Sequence, residues 1–482
     1  MIAVKRPNIL LAVADDASHF GVYGHRFVNT PNIDELAEEG IVFNNAFTCN
    51  PKCSPSRACL LTGRHTWQLE DACNHFGIFP AKFPVYPDIL EKNGYHVGFT
   101  GKGWGPGDYI KGGFKRNPAG DEYNMFKLSP PERTMISNCD YYRNFVDFLS
   151  KKPKNKPFCF WYGGFEPHRH YAPGEGIRAG KKIEDITYIP SHLPDNETVR
   201  SDFLDYANEI DWFDLQLGKM LRKLKEIDEF ENTIIIVTSD NGCPFPRIKG
   251  QMYEQGFHLP MVACWKAVSP GGRYIDDIIS FIDFAPTFLE AAHIAPDEGM
   301  TGKSFLDVFY SHKSGIIDEK RNKAYFGRER HDPGRKGDVG YPVRCIRNRQ
   351  FLYIRNFKPE RWPAGDPETW FTNCDGGPTK KEVLRLYAQG DVKYFNLCFG
   401  RRDGEELYDI VKDPECINNL AYKKEYRGVK ENLQSELMRE LIKTKDPRVT
   451  GDEDIFETYE NVCSAPVSFK AYKEGRFVLQ SW

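Results

Sequence analysis

Several features that often define a partner or a fold class are missing from this sequence. It contains no run of about 18 apolar residues, so no membrane-spanning helix is predicted. Lys and Arg together number 65 and Asp and Glu 68, and the net charge of −3 gives no general attraction to nucleic acid or to a membrane surface. The 13 cysteines are scattered, odd in number and without paired Cys-x-x-Cys motifs, so they indicate neither a disulfide framework nor a zinc site.

The chain that remains is long and has a substantial apolar content. Its 482 residues, 40% of them hydrophobic, are enough for one large domain and a smaller one. No internal repeat or low-complexity tract divides it. The N-terminus leads almost directly into a strand-like segment, which leaves no room for a signal peptide. We therefore expect either a cytoplasmic protein or a periplasmic one whose export signal has been removed.

Four short apolar segments are each followed by polar residues. The segments are 8–14, 95–99, 158–162 and 233–239, and the polar residues after them are Asp15 and Asp16, Lys102, Glu166 and His168, and Asp240 and Asn241. Continuous apolar runs are typical of parallel strands that are covered on both faces. Helical patterns lie between them, for example Phe203 to Ile227. This alternation predicts an α/β fold with the polar residues together at the carboxyl ends of the strands.

Two of these strand ends supply a set of hard oxygen ligands. Asp15, Asp16, Asp240 and Asn241 bring no thiolate or imidazole, so they favour calcium or magnesium over zinc. The alternative is that these side chains cap neighbouring helices, as isolated Asp-Asp pairs commonly do.

The segment Cys53-Ser54-Pro55-Ser56-Arg57, which continues through Leu60-Leu61-Thr62-Gly63-Arg64, resembles the activation signature of the type I sulfatases. In that family a maturation enzyme oxidises the cysteine to formylglycine, whose hydrated aldehyde attacks sulfur. The resemblance implies an alkaline-phosphatase-like α/β fold: a large mixed, mostly parallel sheet flanked by helices, with a smaller C-terminal antiparallel sheet and helix. It also implies one calcium ion per chain, bound by Asp15, Asp16, Asp240 and Asn241 together with the modified Cys53.

The resemblance assigns roles to four further residues. Arg57, Lys102 and Lys249 would neutralise charge on the sulfate oxygens, as cations do in phosphoryl transfer. His168 would protonate the leaving group, for which an imidazole is well suited near neutral pH.

Several strings are similar to the sulfamidase branch of the family, the N-sulfoglucosamine sulfohydrolases. They are Asp240 to Pro246, Glu166-Pro167-His168-Arg169, Tyr341 to Arg344 and Phe351 to Phe357. They favour N-sulfoglucosamine of heparan-type glycans as the substrate. A carbohydrate O-sulfatase is the closest alternative, and a phosphonate or phosphodiester hydrolase is a more distant one.

One position departs from the family pattern. Many sulfatases have a histidine two residues after the lysine that corresponds to Lys102, and here this residue is Trp104. An indole cannot accept a proton, so His75 or His19 would have to replace the missing base. The alternative is that Trp104 marks a protein that binds sulfated glycans with slow turnover or without catalytic activity.

Contacts to the sugar are predicted for residues near the proposed acid and in a charged segment further on. Glu166, Arg169, His75 and His331 are the candidates, with Arg169 placed to bind a second anionic group. A charged surface loop is the alternative for the segment that contains His331.

The pattern of elements changes near residue 338, which predicts a catalytic domain over residues 1–338 and a smaller domain over 339–482. Residues 344–357 are typical of an antiparallel hairpin, and Glu425 to Lys443 of a helix. Lys358 to Gly390 is predicted to be a long ordered loop. A monomer and a homodimer are both left open.

Overall fold

The computed structural model describes residues 5–479 and contains a large and a small β-sheet. The strands of the large sheet are β1 (Asn8–Ala14), β2 (Ile41–Phe47), β3 (His96–Gly101), β4 (Asp121–Glu122), β5 (Phe158–Gly163), β6 (Thr233–Ser239), β7 (His258–Cys264), β8 (Arg273–Ile275) and β9 (Ile279–Ser280). Their order is β4-β3-β5-β1-β6-β7-β2-β8, and β9 also pairs with β2. Only the pairings of β7 with β6 and with β2 are antiparallel among these strands.

Helices cover both faces of this sheet, and others pack near the small sheet. The helices of the described residues are α1 (Pro31–Glu39), α2 (Cys53–Thr62), α3 (Tyr86–Lys92), α4 (Tyr141–Lys151), α5 (Glu175–Arg178), α6 (Glu197–Glu226), α7 (Glu254–Phe257), α8 (Phe284–Ala291), α9 (Leu306–Tyr310), α10 (Pro378–Ala388), α11 (Lys393–Cys398), α12 (Arg427–Lys443), α13 (Pro447–Thr450), α14 (Ile455–Thr458) and α15 (Phe469–Lys473). None of the helices in the described part of the chain is both long and apolar enough to cross a bilayer.

The central strand shows why the apolar runs are continuous. All seven residues of β1 are buried. Leu10 and Ala12 pack into the core on one face of the sheet, and Ile9 and Leu11 pack into the core on the other. Because both faces are covered, the strand needs no alternation with polar residues. The α/β fold predicted from the sequence is confirmed.

The small sheet consists of β10 (Lys323–Arg328), β11 (Val343–Asn348), β12 (Phe351–Asn356) and β13 (Glu405–Asp409), all antiparallel and in this order. The predicted hairpin corresponds to β11 and β12. Leu433, Leu437 and Leu441 of α12 pack against this sheet. The first strand, β10, precedes residue 338, so the small sheet draws one strand from the predicted catalytic segment, and the domain boundary itself stays a prediction.

The prediction of one long loop from Lys358 to Gly390 is wrong in its second half. α10 begins at Pro378, and Val383 on this helix is buried in the large core. Proline is well suited to the first position of a helix, where its missing N–H has no partner to lose. The density of proline, glycine and charge around this position obscured the helical pattern.

Candidate active site

The carboxyl ends of β1, β3 and β5 and the N-terminus of α2 line one cavity of about 560 Å³, and Asp240 at the end of β6 is buried next to Asp15. Thirteen side chains with titratable groups line this active-site cavity. They are Asp15, Lys52, Cys53, His75, Lys102, Glu166, His168, Arg169, His170, Glu209, Lys249, Asp332 and Asp375. The convergence of polar strand ends that the sequence predicts is therefore present.

Cys53 is the first residue of α2 and faces the cavity. Its side chain is buried, and Sγ lies 3.4 Å from Oδ1 of Asp15. Burial and the negative charge of Asp15 raise the pKa of the thiol far above its ordinary value. An unmodified Cys53 is thus a poor thiolate nucleophile, because the thiolate and not the thiol attacks. The positive end of the α2 dipole at this position favours an anionic ligand.

Three buried carboxylates beneath Cys53 form a compact oxygen cluster. Oxygen atoms of Asp15, Asp16 and Asp240 all lie within 4.8 Å of one another. Burial raises the pKa of Asp16 to about 6 and that of Asp240 to about 6, and the charge of Asp15 adds to both shifts. Oδ1 of Asn241 is buried beside them without a hydrogen-bond partner among the described residues. Carboxylate and amide oxygens are the ligands that calcium prefers, so this donor set fits a hard divalent cation.

Each of these carboxylates also contacts a cationic side chain. Nε of Arg57 donates to Oδ2 of Asp240 at 2.8 Å, and Nζ of Lys102 donates to Oδ2 of Asp15 at 2.5 Å. Burial alone would raise the pKa of Asp15, but the charges of Lys102, His168 and Arg57 hold it well below its ordinary value. The cluster is therefore a network of alternating charges that surrounds Cys53.

The turn that presents Lys102 requires glycine at the preceding position. Gly101 has a φ of 75°, and a Cβ atom there would lie 1.9 Å from the carbonyl oxygen of Gly163. No other residue fits this close approach of β3 to β5 without moving the backbone.

Lys249 connects the carboxylate cluster to a second acidic group. Its Nζ donates to Oδ2 of Asp16 and to Oδ2 of Asp375, both at 2.7 Å. Asp375 belongs to the segment that the sequence analysis treated as a loop, so its role was missed. Its only signal in the sequence is a charged residue between one cysteine and two glycines.

His168 lies at the mouth of the cluster. Its Nε2 is 3.9 Å from Oδ2 of Asp16, and its Nδ1 is 2.5 Å from the carbonyl oxygen of Arg169. That carbonyl can only accept, so Nδ1 donates and Nε2 of the neutral ring carries a lone pair. Burial, with the positive charge of Lys249, lowers the pKa of His168 to about 4. The ring is thus neutral at pH 7.

A second network on the other side of Cys53 joins three residues. Nδ1 of His75 is 2.6 Å from Oδ1 of Asp332, and Nζ of Lys52 is 2.8 Å from Oδ2 of the same carboxylate. Nε2 of His75 is buried and has no partner among residues 5–479. Lys52 and Asp332 were missed in the sequence, although one directly precedes Cys53 and the other directly follows His331.

The remaining predicted substrate contacts have different surroundings. Glu166 lines the cavity and accepts hydrogen bonds from the hydroxyl of Tyr141 and the amide of Ser137, and burial raises its pKa to about 7. Arg169 also lines the cavity, but both its terminal nitrogens bond to Asp202 at 2.7 Å. Its guanidinium already has a carboxylate partner, so this geometry favours a structural role for Arg169, and the binding of a second anion stays a prediction.

His331 lies apart from the cavity. Its side chain is fully buried, its Nε2 bonds to Oδ1 of Asn50 at 2.8 Å, and it is not among the residues that line the cavity. This placement gives no support to a sugar contact of His331, which stays a prediction.

Trp104 and His19 both lie outside the cavity. The indole of Trp104 is buried and donates from Nε1 to the carbonyl oxygen of Ser54 at 3.0 Å. It therefore supports the N-terminus of α2 rather than facing a substrate. His19 contacts the hydroxyl of Tyr206 at 3.1 Å. Of the two histidines proposed to replace the missing base, only His75 lines the cavity.

The fold and this site define an α/β hydrolytic centre built around a helix N-terminus, buried carboxylates and cations. The family model described as "Sulfatase" matches residues 7–294, which is more than half of the chain. The chain therefore belongs to the sulfatase family. A second model, described as "N-sulphoglucosamine sulphohydrolase, C-terminal", matches residues 248–364.

Individual relatives share about a quarter of their residues with this chain. An ulvan-active sulfatase of Formosa agariphila is 26% identical over 92% of this chain and 76% of its own length. Human N-sulphoglucosamine sulphohydrolase is 26% identical over 93% of both chains. A solved complex with the substrate D-glucosamine-2-N,6-O-disulfate superposes with a TM-score of 0.67 at 21% identity, over 93% of this chain and all of the other, and this likeness supports the fold.

Proposed function

We propose that this sulfatase removes a sulfate group from a sulfated saccharide, with N-sulfoglucosamine of heparan-type glycans as the preferred unit. The observation that carries the proposal is the position of Cys53 at the start of α2, between the carboxylate cluster and a cavity rich in cations. The C-terminal match over residues 248–364 and the human relative support the N-sulfated substrate.

Two groups complete the proposed site, and the residues present fit both. Formylglycine, made from Cys53 by a maturation enzyme, supplies an oxygen nucleophile in its hydrated form. Calcium, for which the oxygens of Asp15, Asp16, Asp240 and Asn241 form a donor set, would supply positive charge that stabilises a bound sulfate.

The cationic side chains provide the rest of the charge. Lys102 and Lys249 line the cavity and Arg57 lies directly behind it, so all three neutralise negative charge that develops on the sulfuryl oxygens. Because each is already held by a carboxylate, little reorganisation is needed when a sulfate arrives.

His168 is the proposed proton donor to the departing nitrogen or oxygen. Its pKa of about 4 in the free protein is too low for this role at pH 7. A sulfate anion in the cavity stabilises the imidazolium and raises this pKa, so protonation is coupled to substrate binding. General acid catalysis of this kind contributes about 10²–10⁴-fold to the rate.

His75 is the proposed replacement for the histidine that Trp104 displaces. Asp332 accepts a hydrogen bond from Nδ1, which leaves the lone pair on Nε2 free to accept a proton. A carboxylate that orients a histidine in this way is a recurring arrangement in nucleophilic catalysis.

A carbohydrate O-sulfatase is the second candidate, because the same groups serve S–N and S–O bonds. The ulvan-active sulfatase among the relatives favours it. Release of phosphate from phosphonate or phosphate esters faster than release of sulfate would instead identify the more distant alternative.

The test is sulfate release by protein whose Cys53 conversion has been verified by mass. The panel contains N-sulfoglucosamine, 6-O-sulfated N-acetylglucosamine and a sulfated uronate disaccharide, each with and without calcium. Release from N-sulfoglucosamine alone supports the proposal. Release from an O-sulfated sugar alone is consistent with the proposed mechanism but contradicts the proposed N-sulfated substrate.

A further inference from the structure

The indole of Trp104 connects the segment after β3 to the first turn of α2. Its Nε1 donates to the carbonyl oxygen of Ser54 at 3.0 Å, and the hydroxyl of Ser54 donates in return to the carbonyl oxygen of Pro106. Both side chains are buried, with Trp104 only 3% exposed. Because Ser54 directly follows Cys53 in α2, these two hydrogen bonds act on the turn that carries the proposed nucleophile.

Arg57, one turn further along α2, bonds to the same segment. Its Nη1 donates to the carbonyl oxygens of Lys102 and Gly103, at 2.7 and 2.9 Å. The ammonium of Lys102 faces the active-site cavity and pairs with Asp15. Residues 102–106 and the start of α2 are thus joined by four hydrogen bonds, and this contact relates Cys53 to one of the cations proposed to neutralise the sulfate.

The indole that makes this contact is itself held firmly. Asn117 bonds to the backbone of Trp104 twice, since its Oδ1 accepts from the amide and its Nδ2 donates to the carbonyl oxygen, both at 2.9 Å. The indole packs against Phe79 in the core, with ring centroids 5.0 Å apart. A Cβ atom at Gly107 would lie 2.4 Å from Cη2 of the indole, so only glycine leaves room for it there. A side chain locked in this way can fix the position of the group to which it donates.

This arrangement gives a physical meaning to the departure from the family pattern at position 104. A histidine that serves as a base would have to face the cavity, whereas Trp104 packs in the core and does not line the cavity. The position supplies a fixed contact to α2 in place of a group that accepts a proton.

We propose that Trp104 is a positioning residue for sulfate transfer, which acts through Ser54 to fix the reactive group of residue 53 relative to the ammonium of Lys102. Catalysis depends on such fixed geometry, because a displacement of about 1 Å can lower a rate about 10²-fold. The inference concerns the sulfatase reaction itself and rests on the proposed function only for the choice of substrate.

The test is Trp104→Phe, which keeps a buried aromatic ring and removes the Nε1 donor. Protein with verified conversion of Cys53 is assayed for sulfate release from N-sulfoglucosamine with calcium, at a temperature well below the Tm of each variant. We expect kcat to fall about tenfold, the change that the loss of one hydrogen bond produces, and KM to stay within about twofold of the wild type, because no sugar contact is removed.

Trp67→Phe is the matched control. Trp67 is 2% exposed and donates from Nε1 to Oγ1 of Thr444 at 2.9 Å, but it does not line the active-site cavity. Both substitutions leave a void in the core and should lower the Tm, whereas only Trp104→Phe should lower kcat. Trp104→His should be no faster than the wild type. A higher kcat for this variant would show that position 104 serves as a base and would overturn the proposal.

Hydrogen exchange of the full chain gives a measurement that does not depend on turnover. In Trp104→Phe the amides of residues 54–58 should exchange about tenfold faster than in the wild type, and Trp67→Phe should leave them unchanged. An unchanged kcat for Trp104→Phe, an equal loss of kcat in Trp67→Phe, or unchanged exchange of these amides in Trp104→Phe would each overturn the proposal. Absence of sulfate release by the wild type would reject the proposed function alone, because the exchange rates would still decide the role of Trp104.

Discussion

The pair of Arg169 and Asp202 provides a quantitative test of the site's architecture. Two nitrogens of the guanidinium bond to the carboxylate at 2.7 Å, and the two side chains are 3% and 1% exposed. Oδ2 of Asp202 also accepts hydrogen bonds from the amide and the hydroxyl of Thr379 at the start of α10. The pair therefore joins α6, the loop after β5 and α10.

The perturbation is Asp202→Asn, which keeps the shape of the side chain and removes its charge. Arg169 is then a buried cation without a counter-ion, and breaking a buried pair in this way costs about 3–5 kcal/mol. The assay is the free energy of unfolding from urea denaturation of the full chain.

Asp195→Asn is the matched control, because Asp195 makes the same kind of bidentate contact with Arg200 at 2.6 and 2.9 Å but is 55% exposed. Exposed pairs contribute about 0–1 kcal/mol, so this variant should be close to the wild type. A loss of less than about 1 kcal/mol for Asp202→Asn would refute the structural role of Arg169 and return it to the list of substrate contacts.

The other predictions concern the chemistry. His75→Ala should lower kcat for sulfate release about 10²-fold or more, whereas His19→Ala should leave it close to that of the wild type; equal effects of the two would remove His75 as the base. Cys53→Ser should release no more than one desulfated sugar per chain in quenched-flow assays and keep the sulfate as a serine ester visible by mass, because serine has no second hydroxyl with which to expel the sulfate; sustained turnover would contradict this. Asp240→Asn should weaken calcium binding, as measured by equilibrium dialysis with ⁴⁵Ca, because it removes one of three clustered carboxylates; unchanged binding would place the cation elsewhere.

The sheet and the strand-end residues were predictable because burial on both faces leaves a strong signal. Continuous apolar runs that end in Asp15, Lys102 or Asp240 indicate both the strand and the edge at which its polar end lies. The motif around Cys53 also predicted the type of reaction, because a short continuous motif can be compared directly with the signature of a known family.

The residues that the sequence missed come from segments far apart in the chain. Asp332 and Asp375 contact Lys52 and Lys249 only after the small sheet and the segment before α10 have packed against the large domain. Long-range pairing of this kind has no local pattern. His331 illustrates the opposite case. The charged segment around it indicated an exposed position, but its side chain is completely buried in the structure.

Glu209 did have a signal, since it interrupts the apolar face of α6 between Ala207 and Ile210, both fully buried. A carboxylate on the buried face of an amphipathic helix is unusual enough to mark a site. What the sequence could not supply is the partners of these carboxyls, Arg169 for Asp202, two backbone amides for Asp205 and Glu175 for Glu209.

The most direct test of the account is a comparison of two forms of the same chain. One is produced with the maturation enzyme and carries formylglycine at position 53, and the other is produced without it and retains the Cys53 thiol, with mass analysis to verify each form. The account predicts calcium-dependent, multiple-turnover sulfate release from N-sulfoglucosamine by the converted form and none by the thiol form. Equal release by both forms would contradict the central role of Cys53.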